Sequence, residues 1–183
     1  AQVIVCWETG GASSRRKAMS PSYKANRAKV KELTSSIKDS LRTDTETKAK
    51  QLLILNQFLK FTPICQIFIP NTEADDIIGY LTKYYFRKSD NLKLIVSSDK
   101  DFYQLLENDN VQIYDPLRKM IIDRKWVEDK YGIAANNFCL ARTLEGDKSD
   151  NIEGIPGVGL KSVLKRFPAF ADPSVEMTID RVI

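Results

Sequence analysis

The sequence has no histidine, only three cysteines, and no apolar run near the length of a membrane span. Without histidine, chemistry that relies on an imidazole base is excluded, and so are zinc sites assembled from histidine and paired cysteine. Cys6, Cys65 and Cys139 are widely separated in apolar surroundings and form no Cys-x-x-Cys pair. That usage fits free, buried thiols in a reducing compartment rather than a disulfide framework. A bilayer span needs roughly 20 apolar residues, and neither such a run nor a signal peptide is visible, so an intracellular protein off the membrane is expected. Sequence repeats and low-complexity tracts are also missing. What remains is 43% hydrophobic and 28% charged, the composition of a soluble globular chain with one substantial core.

The net charge of +4 hides an asymmetry. Residues 12–60 hold 12 Lys plus Arg against 4 Asp plus Glu, whereas residues 61–183 hold 16 against 19. Basic charge is concentrated in one arm, and acidic charge lies in clusters further on. A phosphate backbone suits that division, gripped by the first and processed at the second.

The clusters carry the chemistry. Glu73, Asp75 and Asp76 open a predicted helix whose Ile77, Ile78, Leu81 and Tyr84 recur at helical spacing. A short apolar run, Leu92 to Val96, then delivers Asp99 and Asp101 into the loop beyond it. In a strand-helix-strand unit with parallel strands, both groups fall at the same edge of one sheet, the edge where open sheets bind ligands. Carboxylates crowded there repel unless a cation neutralises them, and hard oxygen ligands favour Mg²⁺ or Mn²⁺. Each group alone has a plainer reading, as acids at the positive end of a helix or as loop residues. Asp147 and Asp150 form a third group, followed by Gly154, Gly157 and Gly159, whose turn lets backbone N–H groups approach an anion. An acidic pocket beside an anion-binding turn suits a nucleic acid.

In chain order, Gln2 to Trp7 reads as a buried strand, with Glu8 at its end able to add a carboxylate. Thr9 to Ser14 reads as a turn. Arg15 and Arg16 precede Tyr23, Lys24 and Arg27; Lys24, Arg27 and Lys31 at helical spacing predict a cationic face with an aromatic ring beside it, suited to phosphate contact and base stacking. A solvated charge run is the competing reading. Asp44 or Thr45 is expected to cap a helix through Leu59 whose apolar positions cover the sheet. Strands are expected over Ile64 to Ile69, Val111 to Tyr114 and Met120 to Ile122. Helices are expected over Phe102 to Leu106, from an Asp123 cap through Tyr131, over Ala135 to Leu144 and over Leu160 to Phe167, with Trp126 and Phe138 in the core. Lys161 lies beside the glycine turn, and the tail after Pro168 carries no clear pattern.

Four segments, SPSYKANR at Ser20 to Arg27, TEADD at Thr72 to Asp76, SSDKDFYQLL at Ser97 to Leu106 and GDKSDNIEGIPGVG at Gly146 to Gly159, together resemble the 5′ nuclease (flap endonuclease) superfamily. Phage 5′-3′ exonucleases and the 5′ nuclease domain of bacterial DNA polymerase I are the members they resemble most. The resemblance implies an α/β, PIN-like fold with a mainly parallel central sheet flanked by helices, a basic arch and a helix-turn-helix. It implies a nuclease core over residues 1–133, with the arch at about 12–45, and a duplex-binding region over 134–183. It implies metal ligands at Glu8, Glu73, Asp75, Asp76, Asp99, Asp101, Asp147 and Asp150 for two ions, Mg²⁺ or Mn²⁺. Lys24, Arg27, Asp99 and Asp101 take catalytic roles, and Arg15, Arg16, Tyr23, Lys24, Arg27, Gly154, Gly157, Gly159 and Lys161 contact nucleic acid, with K⁺ at the glycine turn. The implied partner is DNA with a 5′ flap, nick or overhang, or an RNA/DNA hybrid, bound by a monomer in the cytoplasm of a bacterium or a phage-infected host.

Two departures bear on that reading. Members of the superfamily usually carry aspartate where this chain has Glu8. They also begin with a further strand that ends in a metal-binding aspartate, so the chain is expected to be a fragment without it, with C-terminal helices missing as well. The competing expectation is therefore a binding module that keeps the DNA grip without complete metal coordination.

Overall fold

β-Branched residues near the start suit extended backbone and form strand β1, Ile4–Trp7. The computed structural model describes residues 2–8, 10–26 and 38–183, with side chains from residue 47 onward in the helix that begins at Lys38. Two compact units divide the chain: residues 1–77 with 149–151, and residues 78–148 with 152–183.

In the first unit β1 pairs in parallel with β2, Cys65–Phe68, from Ile4 opposite Cys65 to Trp7 opposite Phe68. The Trp7 and Phe68 rings stack with centroids 5.9 Å apart, and Trp7 Nε1 donates to Gln66 Oε1 at 2.9 Å. Helices α1, Ser14–Met19, and α2, Lys38–Leu59, lie between the two strands in sequence. Asp44 and Thr45, expected at the start of α2, lie inside it. The helix stops where expected: Thr62 Oγ1 donates to the Leu59 carbonyl at 2.7 Å, and Pro63 disfavours continuation. Its apolar positions do not form the expected cover. Leu52, Leu53, Ile54 and Phe58 are exposed and Leu59 is buried, because residues 52–55 are consecutive and run around the helix instead of lining one face.

Helix α3, Ala74–Tyr80, continues as a wider π-helical turn over Leu81–Tyr85. In the second unit β3, Lys93–Val96, pairs in parallel with β4, Val111–Asp115, and β4 pairs antiparallel with β5, Met120–Ile122. Along β4, Val111, Ile113 and Asp115 are buried while Gln112 and Tyr114 are partly exposed, the period-2 alternation of a strand with one face on the core. A 3₁₀ helix, Lys100–Glu107, makes the crossover between the parallel strands and buries Phe102, Tyr103, Leu105 and Leu106. The α/β class and the parallel pairing hold. The strands, however, are divided among ladders: β2 and β3, expected as neighbours in one sheet, belong to different ones. Each parallel pair closes through its own connection, α2 for β1–β2 and the 3₁₀ helix for β3–β4.

Asp123 caps helix α4, Arg124–Tyr131, as expected, its side chain accepting from Trp126 N at 2.8 Å. Gly132 ends that helix at φ +69, a conformation that costs glycine little. Helix α5, Phe138–Glu145, follows a short 3₁₀ turn, Ala135–Asn137. Strands β6, Gly146–Asp147, and β7, Ile152–Glu153, form a small hairpin that leads to α6, Leu160–Arg166. Phe138 is in the core as expected, with Leu106, Ile113, Val127, Val163 and Phe170, and Trp126 packs against it. The tail, which carries no clear pattern in sequence, is held by the buried Asn137, which donates to the Val175 carbonyl and accepts from Met177 N, each at 2.9 Å. The three cysteines are free as expected, but Cys65 and Cys139 are exposed and Cys6 is half-buried. Cys65 opens β2 and Cys139 is the second residue of α5.

Candidate functional site

In the first unit the acidic residues are gathered by cations. Glu73 precedes α3 and is only 2% exposed, and a carboxylate so removed from water needs charged or hydrogen-bonding partners. It has three. Arg16, on α1, pairs with Glu73 and reaches Asp76 at 2.8 Å and Asp75 at 3.5 Å. Lys24 Nζ donates to Glu73 Oε1 at 2.8 Å and lies 4.0 Å from Asp150. The Tyr23 hydroxyl lies 3.0 Å from Glu73 Oε2 and 3.2 Å from Asp150 Oδ2, and its single proton is donated to one of the two at a time.

Tyr23 is therefore not an exposed platform for base stacking: its ring is buried, with the Lys24 ammonium 4.9 Å from its centre. Burial pushes the phenol above its ordinary pKa, Arg16 opposes the rise, and Asp150 adds to it, so the hydroxyl stays protonated. Lys24 is not on a helix face either. Its φ is +55, and its backbone N donates to the Asp150 carbonyl at 2.8 Å, so it sits in a turn fixed against the DKSDN segment. Asn26 Nδ2 donates to Asn151 Oδ1, and Asn151 Nδ2 to the Ser22 carbonyl, both at 2.9 Å, strapping SPSYKAN to DKSDN. Arg27, Lys31 and the middle of the expected arch, residues 27–37, lie outside the described residues. Arg15 is exposed on α1, and Glu8 is exposed at the end of β1.

The second unit holds Asp99, Asp101 and Asp147. Asp99 caps the 3₁₀ helix by accepting from Asp101 N at 2.9 Å, and its own N donates to Ser97 Oγ at 3.1 Å. Arg142, on α5, donates to Glu145 at 2.5 Å and Asp147 at 2.9 Å, with Asp101 at 3.9 Å. Burial works against the Arg142 charge, but Glu145, Asp147 and Asp101 outweigh it and hold the guanidinium more firmly protonated than usual. Arg142 and Glu145 escape a reading based on acidic motifs; their signal is the three-residue spacing that sets opposite charges on one helix face.

Behind Asp99 lies a buried carboxylate that the sequence reading also passes over. Asp115 is 1% exposed. It accepts from Ser98 Oγ at 2.6 Å, from Leu117 N and Arg118 N at 2.9 and 3.1 Å, and from the Arg118 guanidinium at 2.6 Å. The Ser98 hydrogen bond foremost, with the Arg118 and Leu117 donors, holds its pKa below the ordinary value. Its contribution to stability is therefore complete above the unfolded carboxylate pKa of about 4 and is lost as the pH falls through the lower folded value. Asp115→Asn is expected to lower the urea midpoint at pH 7 and to flatten its fall between about pH 4 and pH 2. Urea melts at stepped pH check this, and an acid limb as steep as wild type's would contradict it.

The donor set is that of a hard divalent ion, all carboxylate and no sulfur or imidazole. The placement is not. Among the described residues no three acidic, cysteine or histidine side chains form a group able to hold a metal ion, and both Glu73 oxygens are engaged by protein groups. As they stand, these residues do not fit a metal.

Gly157 has φ +74, and a Cβ added there would meet nothing within 4 Å, so the glycine turn is open on that side. Gly159 is the N-cap of α6, and Lys161 is exposed two residues on.

Residues 1–132 match the family described as 5′-3′ exonuclease, N-terminal resolvase-like domain. The 5′-3′ exonuclease of Buchnera aphidicola from Acyrthosiphon pisum is 32% identical over 163 residues, covering 89% of this chain and 51% of that protein. The thermostable DNA polymerase I of Thermus aquaticus is 29% identical over 163 residues, 89% of this chain and 17% of that one. The chain thus spans about half or less of the length of these relatives. Among solved structures, the phage T5 5′-exonuclease with bound zinc superposes with a TM-score of 0.74 at 20% identity, over 93% of this chain and 60% of that one. The T5 flap endonuclease in complex with DNA and metal ions gives 0.74 at 21% identity, over 91% and 60%. These likenesses support the PIN-like fold, and the family match over most of the chain decides its membership: the protein belongs to the 5′-3′ exonuclease family through its N-terminal resolvase-like domain.

Proposed function

We propose that the protein is a structure-specific 5′ nuclease, a 5′-3′ exonuclease and flap endonuclease that hydrolyses phosphodiesters near junctions of single and double strands. The observation that carries this reading is the gathering of Arg16, Tyr23 and Lys24 on Glu73, Asp75, Asp76 and Asp150. Cations that neutralise these acids in the free protein are the same groups that suit a phosphate. The relatives' names, 5′-3′ exonuclease and DNA polymerase I, and the DNA in the T5 complex point the same way. Substrates are DNA with a 5′ flap, nick or overhang, or an RNA/DNA hybrid, met by a monomer inside the cell.

The division of labour proposed is a core over residues 1–133 with the arch at about 12–45, and a duplex-binding region over 134–183. Lys24 and Arg27 offset the charge that builds on the reacting phosphate. Arg15, Arg16 and Lys161 attract the backbone, and the turn at Gly154, Gly157 and Gly159 meets duplex phosphates, with K⁺ as its monovalent ion. Glu8, Glu73, Asp75, Asp76, Asp99, Asp101, Asp147 and Asp150 are the ligands proposed for two Mg²⁺ or Mn²⁺ ions, in a rearranged site, because their present placement does not cage an ion.

The test is cleavage of a radiolabelled 5′ flap by the full-length protein. Cleavage with Mg²⁺ and none with EDTA is expected; no cleavage of flap, nicked or overhang substrates by the folded protein would overturn the reading. Lys24→Ala is expected to reduce cleavage about a hundredfold while duplex affinity falls only a few-fold, since transition-state charge is lost and ground-state contact is mostly kept. Equal losses would make Lys24 a general attractor of DNA. The engaged Glu73 oxygens also favour a second reading, a binding module without hydrolysis, which tight flap binding with no product would select.

A further inference from the structure

We infer that Tyr80, Tyr84, Arg87 and Lys88 form a stacking platform for single-stranded DNA, the bases lying on the two rings and the phosphates meeting the two cations. The platform deepens the nucleic-acid reading above, on which it rests for its class of partner, and adds a surface that the acidic clusters do not supply.

The chain has seven tyrosines. Tyr23 and Tyr103 are buried and Tyr114 and Tyr131 half-buried, whereas Tyr80, Tyr84 and Tyr85 are exposed and fall together where α3 passes into its π-helical turn. Helical spacing groups Tyr84 with Ile77, Ile78 and Leu81, yet Tyr84 is 66% exposed and Tyr80 60%. A large ring left in water adds nothing to the core, and several side by side mark a surface that meets something. The Tyr80 and Tyr84 rings have centroids 5.6 Å apart and planes tilted by 33°, so they brace each other while each keeps a face open.

Charge decides the partner. Between Asp76 and Asp90 the chain carries Lys83, Arg87 and Lys88 and no acid. Lys83 is held by Glu107 at 3.2 Å, whereas Arg87 and Lys88 stand exposed. The Arg87 backbone N donates to the Tyr84 carbonyl at 3.4 Å, which sets the first cation one turn beyond the second ring. A strand with a flat face on every base and a negative charge on every phosphate matches both halves of this surface. A duplex matches only the cations, because its bases lie on one another; an unpaired strand offers their faces, and does so whatever the sequence.

The test follows the fluorescence anisotropy of a labelled oligothymidylate titrated with the full-length protein in EDTA, so that no strand is cut. Tyr80→Ala combined with Tyr84→Ala is expected to weaken binding about thirtyfold, the loss of two base stacks. Tyr80→Phe combined with Tyr84→Phe keeps both ring faces and is expected to stay within about twofold of wild type. An abasic strand of the same length is expected to bind wild type and the alanine variant alike, which separates stacking from attraction of phosphate. Arg87→Gln combined with Lys88→Gln is expected to lower the slope of log affinity against log salt by about 1.4, two phosphate contacts on a single strand. Equal oligothymidylate affinity for wild type and the alanine variant, at matching urea midpoints, overturns the inference, as does a loss as large on the abasic strand as on the oligothymidylate. Self-association of wild type that the alanine variant loses, with DNA affinity unmoved, assigns the rings to a second copy and overturns it too. Flap cleavage by the same preparations keeps the two readings apart. Mg²⁺-dependent cleavage beside an unmoved affinity refutes the platform and leaves the nuclease standing, whereas ring-dependent binding without cleavage does the reverse.

Discussion

Glu73→Ala is expected to destabilise the protein by about 3 kcal/mol, the cost of breaking a buried ion pair from one side, and to lower flap cleavage about a hundredfold, as loss of a supporting carboxylate commonly does. The reasoning starts from burial. Glu73 is nearly closed to water, and its two oxygens hold Lys24 and Tyr23 at 2.8 and 3.0 Å with Arg16 alongside. Deleting the side chain takes the buried acid from two cations, leaving Arg16 with Asp75 and Asp76, Lys24 with Asp150 at 4.0 Å, and the phenol with Asp150 to accept its proton. Lys24 and Tyr23 belong to the SPSYKANR segment, so their loss also frees the strap that fixes this segment beside Asp150. Glu73→Gln separates charge from shape. The amide oxygen still accepts one hydrogen bond, but its NH₂ group turns a donor toward a cation, and a smaller loss of about 1–2 kcal/mol is expected. Urea unfolding and cleavage of the same preparations check both effects. A Glu73→Ala protein with the wild-type midpoint and rate would show that the cluster neither holds this unit together nor serves the reaction.

How much of this is legible in the sequence depends on whether a feature is local. Asp123 before Arg124–Tyr131, the alternation of Val111–Asp115 and the apolar run of Ile4–Trp7 depend on neighbours a few residues away, and the structure forms all three. The acidic groups are legible because their spacing is short and their charge unmistakable. Their partners are not. Arg16 meets residues 57 to 60 positions away, and Tyr23 meets Asp150 at a separation of 127; nothing in the local pattern distinguishes these from solvated charges or an exposed ring. The helical spacing of Lys24, Arg27 and Lys31 misleads for the opposite reason. A contact distant in sequence, the bond from Lys24 N to the Asp150 carbonyl, holds Lys24 at positive φ and overrides the local preference. Asp115 looks like a turn residue and is the last residue of β4, but only the fold shows that Ser98, next to Asp99, is anchored on it.

Gly154→Ala is expected to cost about 3 kcal/mol or more, in the range where a side chain is forced against backbone, whereas Gly157→Ala three positions on is expected to cost about 1 kcal/mol. The pair separates two uses of glycine in one turn. At Gly154 an added Cβ would lie 2.2 Å from the Glu145 carbonyl oxygen, 2.3 Å from its carbon and 2.5 Å from Gly146 N. All three atoms are backbone and none can swing aside. A Cβ added at Gly146 would be equally crowded against Gly154 N, so two chain segments touch without side chains between them. Opening that contact disrupts the hairpin of β6 and β7 that carries Asp147, together with the Ile155 N to Leu144 carbonyl bond. Arg142, bonded to Glu145, Gly146 and Asp147, loses its anchors with it. At Gly157 nothing lies within 4 Å, and only the positive φ resists a side chain. Its open face is the one proposed to meet duplex phosphates, so a larger residue there obstructs the ligand more than the fold. Gly157→Val is accordingly expected to keep most of the stability and lose duplex affinity by about tenfold, equally for unrelated sequences, because backbone donors read phosphate and not bases. Urea midpoints set beside duplex and flap affinities at fixed salt distinguish the two positions. Should Gly157→Val bind flap as tightly as wild type, or favour one DNA sequence, the turn is not the duplex grip; should Gly154→Ala unfold at the wild-type midpoint, the close backbone contact does not hold the acidic hairpin.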